Sequence, residues 1–140
     1  MNVNYQNVIM IRMILLFIFF SLPVLNYFWL AWSVQDSNFT ITINPGATNS
    51  DSQNPIAPAN ATVPEGSTII WLNNDSTPHL IVSGTPDQGP SNIFYGDYFS
   101  ASESYNITLD NAGAYNYYDP TWSHIRGQIT VVPNNNDIVI

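Results

Sequence analysis

A chain of 140 residues, 45% hydrophobic and 14% aromatic, holds enough apolar mass for one small core, which excludes a large multi-domain enzyme and general disorder. Charged residues reach only 9%, and the two basic ones, Arg12 and Arg126, stand against ten acids for a net charge of −8. All ten acids lie at Asp36 or later, which argues against nucleic acid as a partner, and the absence of cysteine removes disulfides, thiolate metal sites and cysteine nucleophiles together.

From Met13 to Trp32 the chain runs without a formal charge, and at about 1.5 Å rise per residue a helix of that length crosses the roughly 30 Å of a bilayer core. Arg12 precedes it, so the positive-inside bias leaves residues 1–12 in the cytoplasm and everything after Trp32 outside. Tyr27, Trp29 and Trp32 would form the outer aromatic belt. The expectation is a single-pass signal-anchor in the cell membrane, with the folded part on the extracellular or periplasmic side. A cleaved signal peptide is the alternative, although Leu30-Ala31-Trp32-Ser33 makes a poor cleavage site. Both place the folded part outside the cytosol.

Residues 33–37 read as a juxtamembrane link, and Phe39 to Asn44 alternates with the two-residue period of a strand. Pro45 to Asn60, rich in Pro, Asn, Ser and Ala, reads as a long loop. Further strands are expected at Ser67 to Leu72, His79 to Val82, Ser104 to Leu109, Ala114 to Tyr118 and Gln128 to Val132, each rich in Ile, Val, Thr or Tyr and bounded by turn residues. The pattern predicts an all-β, two-sheet antiparallel sandwich preceded by one N-terminal transmembrane helix. Its divisions are a linker and first strand over 33–62, a core over 63–132 and a frayed polar tail over 133–140. Asn-x-Ser/Thr sequons occur at Asn38, Asn60, Asn74 and Asn106. In so asparagine-rich a chain about three would arise by chance, so alone they only permit glycosylation outside the cell.

From Val63 onward the order is Pro64, Gly66, then Ile70-Trp71-x-Asn73-x-Asp75 and His79, then Ser83-Gly84-Thr85-Pro86. Gly113-x-Tyr115-x-Tyr117-Tyr118-Asp119 and Gly127-x-Ile129-x-Val131 complete it. From about Pro64 to Val132 this resembles the cupredoxin family, plastocyanin-like and amicyanin-like proteins, and in particular its membrane-anchored archaeal forms. The resemblance implies a Greek-key β-sandwich with a mononuclear copper site at one end, used for electron transfer.

A fast one-electron copper site uses two imidazoles and a thiolate in a trigonal array with a weak axial Met. The resemblance places one His in the first segment and the other ligands in a closing loop that reads Cys-x-x-His-x-x-Met-x-Gly in short-loop members. Here that loop is Asp119-Pro120-Thr121-Trp122-Ser123-His124-Ile125-Arg126-Gly127, of the same length. Asp119 stands in the Cys slot, Trp122 in the second His slot and Ile125 in the Met slot. Only His79 carries over directly, and a blue centre is excluded for want of a thiolate. His124 lies two positions beyond the short-loop His, although Asp-x-x-x-x-His reproduces the longer spacing of azurin-like members.

The chain therefore admits two readings. In the first, His79, His124 and Asp119 form a two-His, one-carboxylate metal set, suited to Cu(II), or to Zn(II), more than to rapid copper cycling. The protein is then a membrane-anchored exported domain that binds copper at a non-blue site, with a role in electron transfer or copper handling and a redox partner. In the second, both histidines are ordinary polar loop residues and Asp119 accepts backbone N–H bonds to begin the Asp-Pro turn. That leaves a metal-free scaffold acting as an accessory subunit of a membrane complex, with Asn26 and the acidic face as contacts. Trp122 is expected to pack over the loop, and Tyr115 to pack in the core with its hydroxyl satisfied at a corner. No Ser-His-Asp order with supporting context, Gly-rich phosphate loop or paired-carboxylate cleft marks an enzyme.

Overall fold

Alternating apolar and polar residues dictate strands along most of residues 37–134, the part that the computed structural model describes. The expected membrane segment from Met13 to Trp32 lies outside the described residues, among which no helix is long and apolar enough to cross a membrane. The strands are β1 (Asn38–Ile43), β2 (Ile56–Ala57), β3 (Asn60–Pro64), β4 (Ser67–Asn73), β5 (Val82–Thr85), β6 (Gly89–Tyr95), β7 (Ser104–Leu109), β8 (Gly113–Tyr118) and β9 (Arg126–Val132). They form a four-stranded sheet in the order β2-β1-β4-β7 and a five-stranded sheet in the order β3-β9-β8-β5-β6. The expected all-β sandwich is present, with one correction. It is not wholly antiparallel, because β1 runs parallel to β4 and β3 parallel to β9. Neither pair is joined by a hairpin, which would force antiparallel pairing.

The two-residue period sets what each sheet buries. Along β4, Ser67, Ile69, Trp71 and Asn73 point inward while Thr68, Ile70 and Leu72 point outward. Ile41 and Ile43 of β1 join Ile69 and Trp71 against Tyr117 of β8 and Ile129 and Val131 of β9. Each such aliphatic side chain contributes about 1.5–3 kcal/mol when fully buried. Trp71 lies at the centre: Tyr105 stacks on it at 5.7 Å, Phe94 tilts against it at 5.7 Å and Tyr117 meets it edge-on at 5.2 Å. Its Nε1 meets the hydrogen-bond criteria with no partner among the described residues, so packing chiefly holds the indole. The Tyr117 hydroxyl donates to the Ala59 carbonyl at 2.8 Å, and burial pushes that phenol well above its usual range.

Several strands depart from their expected positions for physical reasons. β6 reads Gly-Pro-Ser-Asn-Ile-Phe-Tyr, without a strand period, and Asn92 adopts φ 60. A buried hydroxyl makes the strand possible, since Ser83 Oγ accepts from the Ile93 and Phe94 N–H groups at 2.9 and 3.0 Å where the β5–β6 register shifts. β5 begins at Val82 instead of His79, because His79 pairs only through a single bridge with Phe99. The expected loop from Pro45 to Asn60 contains β2, which returns to pair Thr42 with Ala57 and Ile43 with Ile56.

Candidate functional site

Two segments meet at one end of the sandwich: the link from β4 to β5, and the loop from β8 to β9. In the first, Asn73 ends β4 with its side chain turned inward. Its Oδ1 accepts the Asp75 N–H at 2.9 Å and its Nδ2 donates to the Thr77 carbonyl at 2.8 Å, which folds residues 74–77 into a tight turn. The turn delivers His79 to Phe99, with which it exchanges both backbone bonds, at 3.1 and 2.9 Å. In the second, Asp119 follows β8, and its Oδ1 accepts from the Thr121 and Trp122 N–H groups at 2.8 and 3.1 Å. The Asp119 N–H donates to the Ile125 carbonyl at 2.9 Å, closing the loop before β9. Gly127 anchors the return, because a Cβ there would run into the Ala59 carbonyl and the Tyr117 hydroxyl.

His79 and Asp119 are both 0% exposed, and they touch. His79 Nδ1 lies 2.8 Å from Asp119 Oδ2. On the other side of the ring, Nε2 lies 3.3 Å from Asp75 Oδ2. Asp75 Oδ1 in turn accepts the Gly46 N–H at 2.9 Å, so one carboxylate joins the ring to the loop between β1 and β2. An imidazole with a carboxylate at each nitrogen donates to both only as the imidazolium. A neutral ring would need the proton on one of the acids, or a cation in its place. Burial by itself would raise the Asp75 carboxyl, but the Gly46 and Ser76 N–H groups and the His79 ring outweigh it and hold it below the usual carboxylate range.

His124 is placed elsewhere. Its Nε2 donates to the Ala47 carbonyl at 2.7 Å, holding the same β1–β2 loop from the opposite segment. Ile125 is wholly buried in the core, and Trp122 packs against it partly buried. Of the three residues singled out from sequence, the structure thus joins His79 to Asp119 and turns His124 to the backbone. Among the described residues no group of three or more His, Cys, Asp or Glu side chains is arranged to hold a metal ion. The residue that sequence reasoning left without a role is Asp75, although its place four residues before His79 in the quoted motif was the signal. Tyr115 meets its expectation, half-buried with its hydroxyl donating to the Asn111 carbonyl at 2.7 Å.

No family model matches the sequence. Plastocyanin from Scenedesmus fuscus is 37% identical over 82 residues, 53% of this chain and 83% of the plastocyanin. The chain belongs to the cupredoxin family. Amicyanin from Paracoccus versutus is 29% identical over 70 residues, 50% of this cupredoxin and 52% of the amicyanin. Among solved structures, a purple cupredoxin from Nitrosopumilus maritimus aligns with TM-score 0.62 at 26% identity, covering 69% of this chain and 100% of the other. A copper(I) form of an amicyanin variant aligns with TM-score 0.54 at 21% identity, covering 71% and 87%, and shares the fold.

Cupredoxins generally bind copper, so the donors of this cupredoxin decide whether such a centre fits. It has no thiolate, no thioether at Ile125 and no imidazole at Trp122. The Nδ1 of His79 and an oxygen of Asp119 are bonded to each other, and the remaining Asp119 oxygen is taken by two backbone N–H groups. These residues do not fit the copper centre of the family. The geometry instead makes a closed hydrogen-bonded chain, Asp75–His79–Asp119, where two loops and the β1–β2 strap converge.

Proposed function

We propose that this cupredoxin is a metal-free binding domain, held on the outer face of the cell membrane by the apolar segment from Met13 to Trp32 and acting as an accessory subunit of a membrane complex. The observation that carries the reading is the donor set at this end of the sandwich, which has no thiolate, no imidazole at Trp122, no thioether at Ile125, and a second histidine, His124, whose Nε2 donates to the Ala47 carbonyl. Its role is non-catalytic. Of its two histidines one is enclosed and the other is tied to a backbone carbonyl, so neither is free to serve as a general base toward a substrate.

Two observations favour a second reading, in which the domain carries copper or zinc at a non-blue site. A metal-bound imidazole commonly directs its other nitrogen to a carboxylate, as His79 directs Nε2 to Asp75. Two donors 2.8 Å apart are also spaced as ligands about 2.0 Å from one ion would be. Metal analysis of the full chain purified from membranes, followed by Cu(II) titration, separates the two. The metal-free reading predicts less than a tenth of an equivalent of copper or zinc and no saturable Cu(II) uptake. One equivalent of copper, lost in His79→Ala and in Asp119→Asn, would overturn it and assign those residues as ligands. Protease added outside intact cells tests the anchor. Digestion of the β domain with survival of a fragment holding Met13 to Trp32 supports it, and a mature chain beginning near Ser33 replaces it with a cleaved signal.

A further inference from the structure

The outward face of the four-stranded sheet carries no charge. Its outward positions form rows across β1, β4 and β7, in which Thr68 stands between Asn38 and Thr108, and Ile70 between Thr40 and Asn106. Leu72, 37% exposed, and the partly exposed Ile70 run down the middle. The remaining outward positions of β1, β4 and β7 are Asn, Thr or Ser, and β2 adds Ala57. An uncharged β face with aliphatic residues at its centre invites association. Among the described residues, the two outer strands of this face are also open at their far edges. β7 ends the sheet, and β1 pairs with β2 only at Thr42 and Ile43, so its first residues have no neighbour on that side among the described residues.

Two of the sequons lie on these same open strands. Asn38 begins β1 and Asn106 sits in the middle of β7, both exposed and both, among the described residues, without a side-chain hydrogen bond. Asn106 stands directly across from Ile70, and Thr40, the hydroxyl residue of the other sequon, stands on the opposite side of it. Cross-strand neighbours have Cβ atoms about 4.5–5.5 Å apart, so a sugar on Asn106 would lie over the apolar row. The sequons alone are no more than chance allows. Their placement on either flank of an uncharged face, on its two open edges, is an independent observation.

We propose that Asn106 and Asn38 are N-glycosylated and that the two glycans cover this face and its edges. The inference rests on the outward orientation given under the proposed function, because the modification belongs to the exported side. In the step, the Asn Nδ2 attacks the anomeric carbon of a lipid-phosphate-linked oligosaccharide. The N–C bond forms, the anomeric C–O bond breaks, the lipid phosphate leaves with its electron pair, and one amide proton is released.

The test is peptide mass mapping of the full chain purified from the surface of its own cells. The chymotryptic peptides holding Asn106 and Asn38 are expected to be heavier by whole sugar residues. The Asn106 increment should vanish in Asn106→Gln and persist in Thr108→Ser, which keeps the sequon. Unmodified Asn106 in protein recovered from the surface overturns the proposal and leaves the export reading standing, whereas an unmodified chain confined to the cytosol overturns both. Sedimentation of the Asn38→Gln/Asn106→Gln chain tests the covering role. Assembly into dimers or larger species relative to the modified chain is expected, and an unchanged sedimentation coefficient would refute it.

Discussion

Trp71 and His79 follow one another along the same stretch of chain and both are wholly buried, but opposite chemistry surrounds them. Rings at 5.2 to 5.7 Å hold the indole, even with its Nε1 unpaired among the described residues, whereas carboxylates at 2.8 and 3.3 Å hold the imidazole. Apolar packing is non-directional, so each ring around Trp71 contributes separately. In the polar chain every group depends on its neighbour, because a buried donor or acceptor left unmet costs its full desolvation. The comparison shows how a cupredoxin end without thiolate, second imidazole or thioether stays folded: its remaining polar groups satisfy one another.

Substitutions can break either side of that contrast. Trp71→Ala should have the largest effect, about 3–5 kcal/mol of stability in urea unfolding, through the cavity it leaves. The imidazole signals of His79 should stay where they are. Asp119→Ala breaks the buried pair and should cost about 3 kcal/mol, at the low end for such a break because Asp75 still meets the ring. Equal losses for Asp119→Ala and Asp119→Asn would show that the charge matters more than the two backbone bonds the side chain accepts.

Much of the core side of the comparison was legible in the sequence, because alternation in β4, β7 and β9 reports burial directly. The polar side was legible only in part. His79 and Asp119 were marked by the resemblance, and their meeting follows from it. That His124 turns to Ala47 depends on where the β1–β2 loop lies, and its Pro, Asn and Ser residues carry no period to place it. β6 was hidden for a related reason, since Ser83 Oγ takes the place of ladder bonds and no local pattern announces a tertiary hydroxyl.

Smaller changes sharpen the account of that loop. Asp75→Asn weakens the bonds to His79 and Gly46 and should cost about 1–3 kcal/mol. The folded Asp75 carboxyl lies below its unfolded value, so the unfolded chain binds the extra proton. Its contribution is complete above the ordinary carboxylate pKa and is lost as pH falls toward the folded value. Unfolding measured between about pH 5 and pH 3 should therefore lose less stability in Asp75→Asn than in the parent. The least change is expected for His124→Ala, about 0.5–1.5 kcal/mol, with faster amide exchange near Ala47 and no effect on His79.

In the metal-free reading a proton, not a metal, lies between His79 Nδ1 and Asp119 Oδ2. Nitrogen-15 NMR of the imidazole in the full chain, recorded before and after one equivalent of Cu(II) and separately of Zn(II), addresses it directly. A protonated Nδ1 is expected, with a signal that neither shifts nor broadens on addition of either ion. Loss of the Nδ1 proton on addition of zinc, or selective paramagnetic broadening of His79 by copper, would contradict it.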